Sequence, residues 1–418
     1  MKVSIHPRVL NGSVEAIPSK SALHRLLICS MLANKPTHLK FRSSSRDIDA
    51  TAECLRAMGA EISDGERGLY VKPLSSPRTG AELDCAESGS TLRFLLPIAS
   101  VLCGEVSFTG HGRLPKRPVV DLLNAMEANG ATCSAHSLPF ELGGRMHAGH
   151  FTLPGNVSSQ YVSALLMVLP SLEEDSVIEL TSALESESYV EITRAVLDHF
   201  DVRTEPFVDG CMVVPGGQVY RSPGMIVAPG DWSNAATFLV AGALRSEVEV
   251  RGLTSHSVQG DRKVLDILRG FGAEVRTGPD WVRVRHRRLS GCIIDISDSP
   301  DLLPVLSVLA CAAEGRTEFT HAARLRLKES DRLAASAAMI SALGGQVEEY
   351  PDRLVVTGGT LHGGVVDVCN DHRMVMSATI AAGLCSSDVI FDGAEAVEKS
   401  YPGFFEDLQV LGGRFDVL

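Results

Sequence analysis

The stretch VLDILRGFGAEV (residues 264–275) decides the fold, because it is one of six copies of a single pattern. In each copy an amphipathic helix ends at a glycine, or its equivalent, and runs into a short strand. The other copies are CLRAMGAEI (54–62), LLNAMEANGATC (122–133), AVLDHFDVRT (195–204), AMISALGGQVEE (338–349) and DLQVLGGRFDVL (407–418). The markers Gly59, Gly130, Asp201, Gly272, Gly344 and Gly412 follow one another at 71, 71, 71, 72 and 68 residues. Glycine suits the end of a helix because it enters left-handed backbone without a side-chain clash, and aspartate tolerates that conformation.

A second series has the same period. It is a polar opening followed by an unusually apolar helix, as in SKSALHRLLICSMLA (19–33), SGSTLRFLLPIASVL (88–102) and SSQYVSALLMVLP (158–170). GDWSNAATFLVAGAL (230–244), SPDLLPVLSVLACAA (299–313) and NDHRMVMSATIAAGL (370–384) continue it. The openings at Ser19, Ser88, Ser158, Asp231, Ser299 and Asn370 lie 69, 70, 73, 68 and 71 residues apart. Ser, Asp and Asn are favoured N-caps, and a helix that is apolar nearly all round is a buried one. Two series with one period mean a chain built by repetition. Each unit then holds a buried helix, an outer helix and short strands such as VSFTG (106–110) and RLVVTGG (353–359). The fold class is α/β, with buried helices and short-strand sheets.

A chain of 418 residues exceeds what one hydrophobic core comfortably serves, so the six units divide into two domains of three. A linker at Arg221-Ser222-Pro223-Gly224 sets the limits at 15–222 for the first domain. Residues 1–14 and 223–418 make the second, the strand in MKVSIHPRVL returning to it. The same N-terminal segment lacks the apolar centre of a signal peptide. The longest apolar runs, Leu92 to Leu102 and Phe238 to Leu244, are too short to span a bilayer.

Composition narrows the function. A net charge of -12 disfavours nucleic acid and anionic membrane as partners, so basic residues that meet an anionic ligand must be concentrated locally. The ten cysteines form no C-x-x-C pair, and Cys29, Cys103, Cys311 and Cys385 sit in apolar surroundings. That pattern points to a reduced, cytoplasmic chain with no metal site and no disulfide framework.

Helix N-termini carry unpaired N–H groups and the positive end of the helix dipole, so converging helix starts can make one anion-binding cleft. Lys20, Arg25, Arg93 and Arg373 lie within the openings, and Arg117, Lys328, Arg332 and Lys399 lie just outside them. Singly, each is an ordinary cap or surface charge. As a set at the starts of buried helices, they must be paired or liganded. Lys328 and Arg332, four residues apart in LKESDR, are expected to share a helix face and repel. An anionic ligand resolves that conflict, and a salt bridge to Glu329 or Asp331 is the plainer alternative.

These segments together resemble the 5-enolpyruvylshikimate-3-phosphate synthases of the enolpyruvyl transferase family, along essentially the whole chain. The matching motifs are SKSALHR (19–25), ESGSTLR (87–93), PKRP (115–118), SSQYVSALLM (158–167), GDWSNA (230–235), LKESDR (327–332), NDHRM (370–374) and EKSYPGF (398–404). The resemblance implies two inside-out α/β domains, each of three repeats. It also implies transfer of the enolpyruvyl group of phosphoenolpyruvate to the 5-hydroxyl of shikimate 3-phosphate, releasing phosphate through a tetrahedral ketal. The carbon chemistry involves no redox change, so no cofactor and no metal are expected. A monomer in the cytoplasm completes the expectation.

By the same resemblance Lys20, Ser21, Arg25, Ser158, Ser159, Gln160, Ser186, Tyr189, Asp301 and Lys328 should hold shikimate 3-phosphate. Lys20, Gly89, Arg117, Gln160, Arg332, Arg373 and Lys399 should hold phosphoenolpyruvate. Catalysis falls to Asp301 as base on the hydroxyl and Glu329 as acid–base at C3, with Lys20 and Lys328 assisting. Glu87, Ser90, Phe94 and Arg324 depart from residues common in the family. A related transferase acting on a UDP-sugar typically carries a cysteine five residues before the arginine of its Arg-Pro pair. Here that position is Gly112, which disfavours the alternative.

Overall fold

The computed structural model describes all 418 residues, in two compact units: Pro18–Ala228, and Met1–Ile17 with Pro229–Leu418. The limits of 15 and 222 shift because of two strand pairings. Gly12–Glu15 runs parallel to Glu247–Arg251, so Glu15 belongs with the later half of the chain. Met225–Val227 runs parallel to Thr37–Lys40, so the segment after the Pro223-Gly224 turn stays with the earlier half.

The first unit contains α1 (Lys20–Leu32), α2 (Arg46–Ala57), α3 (Gly89–Leu102), α4 (Val120–Glu127), α5 (Ser159–Leu166) and α6 (Glu187–His199). The second contains α7 (Trp232–Arg245), α8 (Val264–Phe271), α9 (Leu303–Cys311), α10 (Arg332–Ala342), α11 (His372–Ala381) and α12 (Phe404–Val410). The odd-numbered helices are the apolar ones. Every residue of α9 and α11 is buried, as is α1 from Ala22 to Met31. Each fully buried Leu, Ile, Val or Phe contributes about 1.5–3 kcal/mol, most of which chain entropy offsets. The even-numbered helices are amphipathic. In α8, Val264, Leu265, Ile267, Leu268 and Phe271 face inward, and Gly272 ends it at φ 102°. All six markers lie in left-handed backbone, Asp201 included at φ 57°.

Each repeat also contributes one small sheet. The central strands are Thr37–Lys40, Val106–Thr109, Ser176–Leu180, Glu247–Arg251, Arg316–Thr320 and Val389–Phe391. Every one has a parallel neighbour on one side and an antiparallel neighbour on the other. The N-terminal segment completes two of these sheets, since Val3–Ile5 pairs with Val389–Phe391 and Gly12–Glu15 with Glu247–Arg251. In the third repeat the strand expected after Asp201 does not form, leaving three strands. There the Arg194 Nε donates to the Thr204 hydroxyl, and Pro206 has no N–H to give a ladder.

Four of the six expected openings are side-chain caps: Ser19, Ser88, Ser158 and Asp231 accept from Ala22, Thr91, Gln160 and Asn234 amides. Two differ. Ser299 precedes a 3-10 turn, Pro300–Leu302, and its hydroxyl caps nothing. At the sixth opening the cap is Asp371, while Asn370 stands outside the helix at φ 50°.

Candidate active site

In the first unit, hydrogen bonds tie together the starts of several helices. Lys20, the first residue of α1, pairs with Asp47 at the start of α2, Nζ to Oδ2 2.7 Å. The Thr91 hydroxyl on α3 donates to the Asp47 carbonyl at 3.4 Å. Gln160 on α5 donates its amide to the Ser90 hydroxyl at 2.9 Å and accepts from Arg93 at 2.8 Å. Arg93 also donates twice to the Pro118 carbonyl, next to Arg117. Gly89 sits inside this crowding. A Cβ there would collide with the Arg117 guanidinium and stand 2.7 Å from that of Arg93.

Arg25 lies one turn further along α1 and is 1% exposed. Its guanidinium donates to the Thr193 hydroxyl (2.7 Å), the Ser21 carbonyl (2.7 Å), the Ser163 hydroxyl (3.1 Å) and the Tyr189 carbonyl (3.1 Å). It stacks 4.7 Å over the ring of Phe94, one of the four residues that depart from the family pattern. All of these acceptors are neutral, and burial pulls the guanidinium down from its ordinary value. A buried cation without a counter-ion is a cost that an anion can relieve. Ser186 is buried beside α6 in left-handed backbone at φ 54°, a strained position for serine. Ser158 caps α5 and Ser159 is its first residue.

The second unit gathers helix starts too, but around carboxylates. Arg332, the first residue of α10, is 1% exposed and faces three of them. Its Nε and Nη2 donate to Asp371 (2.8 and 3.1 Å), its Nη1 donates to Asp301 (2.8 Å), and its Nη2 lies 2.9 Å from Glu329. Asp301 also meets Lys328 at 3.3 Å and Arg373 at 3.6 Å. Arg373 donates to the Ser233 carbonyl at 2.7 Å, and Lys399 donates to the Asn370 carbonyl at 2.7 Å.

Burial alone would raise the Asp301 carboxyl, but Lys328, Arg332 and Arg373 outweigh it and hold the group well below the usual carboxylate range. Burial lowers Lys328, Asp301 opposing and Arg324 assisting. Burial also acts against the Arg332 cation, yet Asp371, Glu329 and Asp301 raise it well above its ordinary value.

Lys328 and Arg332 do not share a helix face as expected. Lys328 ends the 3-10 turn Ala323–Leu327, and α10 begins only at Arg332. Their repulsion is relieved inside the protein, by Asp301 and Glu329. In the first unit, sequence reasoning placed Lys20, Ser21, Arg25, Gly89, Arg117, Ser158, Ser159, Gln160, Ser186 and Tyr189. Asp301, Lys328, Glu329, Arg332, Arg373 and Lys399 fall in the second. It missed Asp47 and Asp371. Asp371 was visible inside NDHRM, but Asp47 carries no sequence signal beyond its place at a helix start. Gly112 has φ 62°, and a Cβ there would run into the Glu87 carboxylate, so this loop is not shaped for a cysteine.

A doubly repeated α/β fold with basic side chains at buried helix starts defines an anion-handling protein of the enolpyruvyl transferase type. Residues 6–408 match the family described as EPSP synthase (3-phosphoshikimate 1-carboxyvinyltransferase), and the chain belongs to that family. It is 40% identical to the 3-phosphoshikimate 1-carboxyvinyltransferase of Clostridium kluyveri, over 99% of this chain and 98% of that one. The enzyme of the same description from Clostridium acetobutylicum is 39% identical, over 98% and 97% of the two chains. An EPSP synthase structure from Acinetobacter baumannii has the same fold, with TM-score 0.82, 24% identity and both chains fully covered.

Proposed function

We propose that this chain transfers the enolpyruvyl group of phosphoenolpyruvate to the 5-hydroxyl of shikimate 3-phosphate and releases phosphate. Membership of the family supports the reaction, and one observation supports the site: Arg25 is a buried cation whose every acceptor is neutral. Arg25, Lys20, Ser21, Ser158, Ser159, Ser186 and Tyr189 hold shikimate 3-phosphate, with Gln160 oriented by Arg93 and Ser90. Arg117, Arg373 and Lys399 hold the carboxylate and phosphate of phosphoenolpyruvate. Gly89 leaves room for the Arg117 guanidinium.

The 5-hydroxyl attacks C2 while C3 gains a proton; phosphate then leaves as C3 loses one. Charge stabilisation comes from fixed cations. Glu329 exchanges the proton at C3. Asp301 is a poor base while three cations surround it, so it first accepts a hydrogen bond from the hydroxyl. An anion docking on Arg373 draws that cation away from Asp301 and raises its basicity. Arg332, engaged by three carboxylates, contributes mainly by orienting Asp301 and Glu329.

The protein works as a cytoplasmic monomer with its ten thiols free, and nucleic acid is not a partner. No helix is long and apolar enough to cross a membrane. An assay following phosphate release from the two substrates tests the reading. Release with a UDP-sugar acceptor and none with shikimate 3-phosphate would overturn it.

A further inference from the structure

Asp261 has no role in the site described above, yet it is built into it. It lies in the 3-10 turn Gly260–Lys263 and is 2% exposed. Its Oδ2 accepts the Ser233 hydroxyl, while its Oδ1 is buried with no hydrogen-bond partner. Ser233 stands in the first turn of α7, and its carbonyl accepts from Arg373. The Arg373 Nε is likewise buried without a hydrogen-bond partner. A buried carboxylate oxygen left unsatisfied carries the desolvation cost of a charged group, and in a folded protein it calls for an explanation.

We propose that Asp261 is a positioning residue for Arg373, acting through Ser233, and that it takes up a proton when an anionic ligand docks on Arg373. The inference rests on the reading that Arg373 meets phosphoenolpyruvate. The groups facing Asp261 are Asp301 ahead of α9, Asp231 at the N-cap of α7, Ser233 on α7, and Arg373 on α11. Burial and then Asp301 push its carboxyl up to about 7, against the pull of Ser233 and Arg373. An anion on Arg373 neutralises that pull and adds negative potential. The carboxyl therefore rises further and binds a proton near neutral pH.

Asp261→Asn keeps an acceptor for Ser233 and removes the charge, so it mimics the protonated state at every pH. Phosphoenolpyruvate should bind the variant about three- to tenfold more tightly than the native enzyme at pH 8, and equally at pH 6. Turnover at saturation should stay within about twofold. Calorimetric titration of phosphoenolpyruvate at pH 7.5, in two buffers of different ionisation enthalpy, should show less proton uptake by the variant. The ligand's own ionisation is common to both proteins. A structural role alone gives a gap that does not depend on pH, and a constant gap or equal proton uptake overturns the proposal. Ser233→Ala is the second variant. It removes the donor that lowers the carboxyl, so its affinity profile should shift to higher pH, and an unshifted profile also overturns the proposal. Arg373→Ala separates the two failures, because unchanged phosphoenolpyruvate affinity there would sink the site reading itself.

Discussion

Arg25 and Arg332 are equally buried arginines in opposite electrostatic states. Each is 1% exposed and each lies near the start of a helix. Arg25 is held by hydroxyls, carbonyls and the face of Phe94, and no carboxylate pairs with it. Arg332 is enclosed by Asp301, Glu329 and Asp371, the last fully buried. Burial therefore depresses the first cation while its partners raise the second. On the proposed reading the same residue type serves two ends: Arg25 receives an anion from outside, and Arg332 fixes the carboxylates that act on one.

The largest test of that division is on the paired side. Glu329→Gln keeps the shape of the side chain but cannot exchange a proton. Turnover should fall about 10²–10⁴-fold in steady-state assays at saturation, with shikimate 3-phosphate affinity nearly intact. Near-native turnover would reduce Glu329 to a salt-bridge partner of Arg332.

Arg332→Met comes next. Breaking a buried ion cluster by removing one member costs about 3–5 kcal/mol, since Asp371 stays fully buried and Asp301 largely so without it. Denaturant unfolding measures the loss, and a cost below about 1 kcal/mol would show that Arg332 is not a structural cation.

Arg25→Met should reverse the balance. Its neutral acceptors leave no stranded charge, so stability should fall by much less than for Arg332→Met. Affinity for shikimate 3-phosphate should drop about ten- to a hundredfold, the worth of one charge-assisted contact. Calorimetric binding checks it. Equal loss of stability in the two methionine variants would erase the distinction.

The smallest effect is on acid sensitivity. His24 is wholly buried, and burial with Lys20 and Arg25 nearby lowers it well below its ordinary value. Its contribution is present above the unfolded pKa of about 6.5 and fades as pH falls below that. Asp301 and Asp371 are depressed carboxyls, so their contribution fades only below about 4. Asp261 is raised, so its contribution is lost as pH rises from about 4 through about 7. Between pH 7 and 5, amide protection relative to the intrinsic exchange rate should therefore fall in α1 and α3 and not in α9 and α11. A uniform response across the four helices would show that these groups do not set local stability.

The sequence by itself determined the sixfold architecture. Helical periodicity, glycine at helix ends and polar caps are local properties, and even Asp201 took the left-handed backbone that its place in the series required. The cations of the proposed site were picked out for the same reason, as charges at the starts of apolar helices. What only the tertiary structure decided is which charges meet. Strand pairing across more than 180 residues placed Glu15 and Met225–Val227, so no linker composition could set the boundary. Lys20 finds Asp47, and Arg332 finds Asp371 39 residues away, while Arg25 finds no carboxylate. Electrostatic partnership depends on distance and burial in three dimensions, and neither is written in the spacing of residues along the chain.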